Sequence, residues 1–566
     1  MTYYVSPTGG DGNPGTPGLP LQTLAAAVDR SRSGNGEKEI VLLAGEYENT
    51  RVALDSRDSG LTIRGEGGPV LRGGIRLYGW EPCAGDGGLY SLALPAGFAG
   101  SIRMLEINGR LRQRSRYPRE GFLLHNSAFA SNWISTSGGG WDVKPTEDEL
   151  RRLEYDPEVL PAGFDWDGAE LTVFHKWDET LAGVSAHDPE KRLLTLSVPC
   201  THPPGAFGVK KFVVWNTRFG MEPGCWRLGT GGKLLYRPFP GEDMRGAAAY
   251  IPLFESVITI EGDVAGLTIR DVAFMTTASP ERPAGFGAAK TTGAADSAAR
   301  LEDCVFSGLS FRNAGGWGLR LHGENKNVAV RGCRTADTGG GGIMLRKGTK
   351  CAITGCTVER AGLIHPSAIG IEAQGCEVAN NVLRDLPYSG ICYGGGDGGV
   401  IRDNFISNAV GVLNDGGGIY ATFCNNGVIR GNHVENIRQK DEPDSTRNGL
   451  YIDEQSRGWL VEGNVTVNCT SAMMNHMSGS NTLRNNVFAV PEGDLLVSFI
   501  RCEDYRLEAN AFQAGGKVTL AGKKGVIAAY ERNWTYSGAG RAEQVLVEED
   551  YSRSEARGLG PDRPLA

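Results

Sequence analysis

Val400-Ile401-Arg402-Asp403-Asn404 is followed 28 residues later by Val428-Ile429-Arg430-Gly431-Asn432, the same short alternation of apolar and polar residues ending in the same asparagine. Alternation over four or five residues is the signature of a β-strand with one buried face. The closing residue belongs to a longer column, Cys304, Cys333, Cys356, Asn381, Asn404, Asn432, Asn464, Asn486 and Asn510, spaced by 22 to 32 residues. A second column runs in step with it, a glycine opening an apolar run: Gly318-Leu319, Gly342-Ile343, Gly370-Ile371, Gly390-Ile391, Gly418-Ile419 and Gly449-Leu450. Strands this short cannot bury an apolar face alone, so the repeats must stack as coils around a shared interior. The pattern predicts an all-β parallel β-helix solenoid. An asparagine recurring at a turn can bond the backbone of neighbouring coils, and a small thiol fills the same slot as a hydrophobe, so the ladder reads as structural and its cysteines as packing rather than metal ligands.

The repeat divides the chain. Residues 1–75 carry first coils and a short helix from Thr23 that caps the open end. Residues 76–250 lose the period and read as an inserted β-rich domain, with runs such as Leu171-Thr172-Val173-Phe174. Residues 251–530 form the main helix, and 531–566 a cap or tail ending in the charged run Glu548-Glu549-Asp550-Tyr551-Ser552-Arg553. Glycine, at 82 of 566 residues, collects at the coil turns. A formal charge of −8 gives no electrostatic case for nucleic acid or an anionic membrane, and no stretch is long enough to span a bilayer. The twelve cysteines do not resemble a disulfide framework, and the first residues lack the basic and apolar regions of a signal peptide. Together these predict a cytoplasmic protein, a secreted form remaining open if a leader has been removed. Oligomeric state is left open, a homodimer among the options.

From glycine to the next ladder residue the spacing is 14 or 15 in six of seven coils. From ladder residue to glycine it is 8 or 9 in plain coils, but 14 from Asn404 to Gly418 and 17 from Asn432 to Gly449. Long loops on one edge build a wall beside a groove. If Ile419 points inward, the second residue after each glycine points outward: Arg320, Met344, Glu372, Cys392, Tyr420 and Tyr451. So does the fourth: His322, Arg346, Gln374, Gly394, Thr422 and Asp453, with Met474 and His476 one coil further. Asp453 ends one strand of this face, and Asp415 lies in the glycine-rich loop leading into the previous strand. Two carboxylates beside aromatic rings are the minimum for glycoside hydrolysis, one to protonate the leaving oxygen and one to attack or activate water. Taken singly, each also fits a turn former or a strand cap. Seven positions of offset put the two about 23 Å apart on an extended path, so Gly416, Gly417 and Gly418 must fold the loop back. Otherwise Glu372 or Glu454 becomes the partner of Asp453.

Tyr420 and Tyr451 are expected to stack on sugar, and His476 to bond a hydroxyl. Trp317 and His322 are further substrate-binding candidates, with buried turn packing the favoured reading for Trp317. No metal-ligand spacing or cofactor motif is seen.

Several stretches resemble right-handed parallel β-helix glycoside hydrolases. They are Tyr4-Val5-Ser6-Pro7-Thr8-Gly9-Gly10-Asp11-Gly12-Asn13, Pro20-Leu21-Gln22-Thr23-Leu24, Asp415-Gly416-Gly417-Gly418-Ile419-Tyr420 and Gly449-Leu450-Tyr451-Ile452-Asp453-Glu454. The chain is most similar to glycoside hydrolase family 141 and more distantly to the β-xylosidases of family 120. Glu106-Ile107-Asn108-Gly109 and Arg116-Tyr117-Pro118 of the insertion are similar too. The resemblance implies a right-handed helix, an oligosaccharide substrate from plant or microbial polysaccharide, and Asp415 and Asp453 as the catalytic pair. Asn475 stands about where the xylosidases place an acid/base glutamate, which argues against that activity. The expected function is a glycosidase, with Asp453 as nucleophile or general base and Asp415 as general acid. The rivals are a polysaccharide lyase or uronate epimerase using Arg320, Arg346 and Lys347, and a non-catalytic carbohydrate-binding solenoid.

Overall fold

The computed structural model describes residues 1–33, 36–85, 88–98, 100–279, 291–438, 446–469 and 471–538, and the backbone of 545–547. The acidic run expected in the tail lies outside the described residues. Three parallel sheets of 14, 13 and 13 strands run the length of the solenoid. The quoted segments are neighbours in the first sheet, Val400↔Val428 and Arg402↔Arg430, with every intervening residue in register. Phe405–Ser407 and His433–Glu435, just past the ladder, pair in the second. Gly416–Thr422, Arg447–Ile452 and Ser471–His476 are successive strands of the third, which carries the glycine column. One contiguous apolar core runs through the coils, from Val5 to Val526.

Each ladder asparagine accepts and donates along the helix axis. Asn464 Oδ1 accepts the backbone N–H and the side-chain amide of Asn432 (3.0 and 2.9 Å), while its own amide donates to the Ile429 carbonyl and to Asn486 Oδ1 (2.8 and 3.0 Å). The cysteines of the column do a weaker version of the same job, Cys333 donating to the Phe306 carbonyl and Cys356 to that of Val330. The ladder also runs one rung further than the sequence showed, to Asn533, whose Oδ1 accepts from Asn510. Asn464 is fully buried, and stranding a buried polar group costs about 1–3 kcal/mol. Asn464→Ala is therefore expected to lower unfolding free energy by about 2–4 kcal/mol in a denaturant titration, and unchanged stability would mean that the ladder carries no load.

The glycine column has a steric cause. A Cβ on Gly342, Gly370 or Gly390 would stand 2.4, 2.7 or 2.5 Å from the glycine carbonyl of the next coil. Coil spacing of about 4.8 Å leaves no room for one there.

At the amino end the helix Leu24–Arg32 begins after Thr23, whose hydroxyl accepts the Ala26 N–H, and buries Leu24, Ala27 and Val28 against the first coil. Gly74 to Pro252 builds an eight-stranded and a seven-stranded sheet, each with a core of its own. The solenoid is uninterrupted beneath them, since Val52, Ile63 and Leu71 pair directly with Ile258, Ile269 and Phe274. Polar contacts fasten these sheets to the helix: Glu106 takes Asn313 and Arg72, and the buried Glu179 accepts the Ser367 N–H at 2.7 Å. Among the described residues, no helix is long and apolar enough to cross a membrane.

Candidate active site

On the third sheet the outward alternation falls where the glycine column put it. Ile419, Leu450 and Ile452 are buried in the core, while Tyr420 and Tyr451 pair with each other on the outer face. Asp453 and His476 extend the next outward column, and His476 Nδ1 lies 2.7 Å from Asp453 Oδ1. Asp453 Oδ2 accepts the Tyr420 hydroxyl at 2.7 Å. A carboxylate only accepts, so Nδ1 of His476 carries a proton towards Asp453, leaving Nε2 on the far side of the ring. That Nε2 is buried without a hydrogen-bond partner among the described residues.

Asp415 sits in the left-handed region (φ 58°) and is fixed through its backbone, its N–H donating to Thr446 and its carbonyl accepting the Tyr388 hydroxyl. Its Oδ1 accepts the Tyr451 hydroxyl at 3.1 Å, and its Oδ2 lies 3.9 Å from Lys176 Nζ. The phenols therefore cross, Tyr420 to the aspartate one coil on and Tyr451 to the aspartate one coil back, with ring centroids 4.9 Å apart. Gly417 makes room, because a Cβ there would come within 3.1 Å of Tyr451 Cβ and 2.8 Å of the Ile419 carbonyl. Burial above all, and then the charges of both aspartates, push the phenols of Tyr388, Tyr420 and Tyr451 well above their ordinary value. They stay protonated and donate. The seven-position offset is bridged by side chains.

Tyr420 and Tyr451 are 7% and 2% exposed, so they present no ring face to a sugar and instead hold the carboxylates. Trp317 is wholly buried against the backbone of the next coil at Gly341 and is no sugar platform. His322 lies five strands from Asp453 along the third sheet, about 24 Å, and faces Asp296 at 3.8 Å. Glu454 gives both carboxylate oxygens to the backbone N–H groups of Thr136 and Ser137, so it anchors a loop of the insertion rather than substrate. Glu372 is on the outer face two strands before Tyr420, ion-paired to Arg346; burial holds its carboxyl above the usual range. Arg320 likewise pairs with Asp296. Asn475 points into the helix, donating to the Ser498 carbonyl, and does not face the aspartates.

Sequence reading missed the aromatic side of the site. The loop of Thr136 and Ser137 also carries Trp133 and Trp141, and the loop of Lys176 carries Trp177, with the Lys176 carbonyl accepting the Asn414 N–H. One loop thus reaches the Asp453 end and the other the Asp415 end. They meet through Trp133 and Trp177 (5.3 Å), joined by His202 and Phe207, each 5.0 Å or less from Trp177. All three tryptophans are only half-buried. Their one signal in the sequence was the aromatic richness of the insertion, which has no register to show which rings converge.

Burial lowers the histidines of this domain, His125 and His202 to about 4 and His175 well below its usual value. They are neutral when folded, whereas the unfolded chain binds protons below about pH 6.5. Each therefore adds a destabilisation that begins near pH 6.5 and grows, by about 1.4 kcal/mol per unit, until the folded pKa is reached. The tryptophan-fluorescence melting point is expected to fall between pH 6.5 and 4, and less steeply in His202→Gln. Equal slopes in the two proteins would contradict this.

A model of the right-handed β-helix region matches residues 367–502. A solved structure titled glycoside hydrolase is similar over 86% of this chain and 96% of its own, at 19% identity and a TM-score of 0.65. XylC in complex with xylose aligns over 94% of this chain and 86% of its own (13% identity, TM-score 0.47). A lacto-N-biosidase of family GH136 from Eubacterium ramulus aligns over 97% and 68% (11%, 0.38). No curated protein sequence matches the chain. The fold is thus that of the right-handed parallel β-helix proteins.

Proposed function

We propose that the protein is a glycoside hydrolase acting on an oligosaccharide at the Asp415–Asp453 niche. The observation that carries this reading is the crossed tyrosine pair, in which Asp415 and Asp453, from neighbouring coils, are each bound by one of two touching phenol rings, with Lys176 and the half-buried Trp177 next to it at the Asp415 end. Asp453, with a donor on each oxygen, serves as nucleophile or general base. Asp415 keeps Oδ2 free of a hydrogen bond from the tyrosines and is 24% exposed, so it can meet a glycosidic oxygen and exchange its proton with water as the general acid. His476 bonds a substrate hydroxyl through Nε2. The solved glycoside hydrolase that shares the fold is in keeping with this reading. A lyase or epimerase would need cations for a uronate carboxylate; Arg320 and Arg346 are already paired to acids, which leaves Lys347 and, at the aspartates, Lys176 for that rival.

The test is a panel of 4-nitrophenyl fucoside, xyloside, arabinofuranoside and galactoside, run with wild type and with Asp453→Asn. Turnover by wild type that the variant lacks supports the assignment. Ultraviolet-absorbing unsaturated product from a uronate polymer would replace it with the lyase.

A further inference from the structure

Where the two sheets of the insertion meet the solenoid there is a cavity of about 110 Å³, which shares no lining residue with the Asp415–Asp453 niche. Leu111 reaches it from the eight-stranded sheet, Leu181 and Trp215 from the seven-stranded sheet, and Ile364 from a loop of the solenoid. Walls of this kind have room for one six-membered ring. Leu363, 43% exposed, lines the cavity as well, so it opens to solvent. Its polar lining includes Arg103 and Arg114, and both pair with Glu170, at 2.5 and 2.6 Å. Arg103 directs its other donors to Ser101 and the Ser279 carbonyl. Arg114 binds Glu170 through Nη1 only; its Nε is closed off, but Nη2 keeps accessible surface and has no hydrogen-bond partner among the described residues. Two guanidinium groups against one carboxylate leave one positive charge over, on side chains no more than 16% exposed. A surplus charge held out of water is costly. Although burial pushes the Glu170 carboxyl up, the two arginines hold it at about 2, so it is already ionised. Burial first, and Arg103 with it, hold the Arg114 guanidinium below its ordinary value against the pull of Glu170.

We propose that this cavity binds a small organic carboxylate with an aromatic or branched apolar body, separately from the glycosidase chemistry. The body fills the space between Leu111, Leu181, Trp215 and Ile364, and the carboxylate accepts from Arg114 Nη2 and balances the surplus charge. Apolar walls with one or two placed polar groups are what a small ligand needs for both affinity and orientation. Glu170 does not line the cavity, so no carboxylate of the protein opposes the ligand there. One surplus charge matches a monoanion. A phosphate dianion would bring more charge than the pair of arginines lacks, and the apolar walls would strip its hydration without replacing it.

The test is isothermal titration of the full chain with phenylacetate, with 2-phenylacetamide as the neutral isostere and with acetate as the anion without a ring. Phenylacetate is expected to bind one to one, the amide about tenfold more weakly for want of the charge-assisted bond, and acetate at least about tenfold more weakly for want of the buried ring. Arg114→Met keeps the apolar stem and leaves Arg103 and Glu170 as a balanced pair, so the acid should lose its advantage over the amide while the amide still binds. Leu111→Trp, on a half-buried strand position, fills the cavity and should weaken both ring ligands at least about tenfold. The proposal is overturned by a wild type that does not bind phenylacetate or binds acid and amide equally. A preference for the acid that survives Arg114→Met, or binding untouched by Leu111→Trp, overturns it as well. Should Arg114→Met fail to fold, the wild-type comparison of acid and amide and the Leu111→Trp titration decide it between them.

Discussion

Asp453→Asn is expected to lower kcat by at least about 10³-fold on every glycoside the protein cleaves, a loss of about 4 kcal/mol in transition-state stabilisation. The amide keeps the size of the carboxylate but neither its charge nor its nucleophilicity. Both oxygens of Asp453 now accept, one from Tyr420 and one from His476. An amide can satisfy only one of those donors, and its NH2 group must face the other, so a modest stability loss of about 1–2 kcal/mol accompanies the rate loss. Because the substitution removes the charge that develops a bond to the sugar or to water, the effect should not depend on the leaving group. Wild-type-like turnover in this variant, with a melting point close to wild type, would remove Asp453 from the mechanism.

The reach of the sequence follows from the range of the forces involved. Ladder, glycine column and outward alternation are set within one coil or between neighbours, so period-two alternation and the coil repeat displayed them, down to the outward column that Asp453 shares with His476, though not the hydrogen bond between them. Direction, however, is not exposure. Tyr420 and Tyr451 do point outward, but they bind carboxylates and lie covered, and alternation cannot say what covers a face. Trp317 takes the buried packing favoured for it over a sugar platform, opening a strand at a position that packs against the next coil at Gly341. Glu454 was misread because its partners, Thr136 and Ser137, lie 318 and 317 residues away in the chain. Comparable separation in the chain hid Trp133, Trp141 and Trp177, whose loops only the docking of the insertion ties to Glu454 and Asn414. The offset of Asp415 from Asp453 looked prohibitive on a backbone path. Two tyrosines in contact link the pair, each holding one aspartate, and Gly417 leaves room beside Tyr451.

Asp415→Asn should instead produce a loss that depends on the leaving group, and this separates a general acid from a residue that merely holds the site together. General acid catalysis contributes about 10²–10⁴-fold when the departing oxygen needs a proton. With an alkyl or sugar leaving group that full loss is expected. With 2,4-dinitrophenyl, whose phenolate departs unaided, kcat should remain within about tenfold of wild type. The Asn side chain can still accept the Tyr451 hydroxyl through its oxygen, so the tyrosine cross and with it Asp453 stay in place. Lys176, 3.9 Å from Oδ2, loses a charge partner but is not buried, and an exposed pair of this kind is worth about 1 kcal/mol or less. Equal losses on dinitrophenyl and alkyl glycosides would assign Asp415 to positioning or nucleophilic attack. The same measurement on Asp453→Asn gives the control, since its loss should be flat across the series, and only one flat and one leaving-group-dependent variant distribute the two roles as proposed.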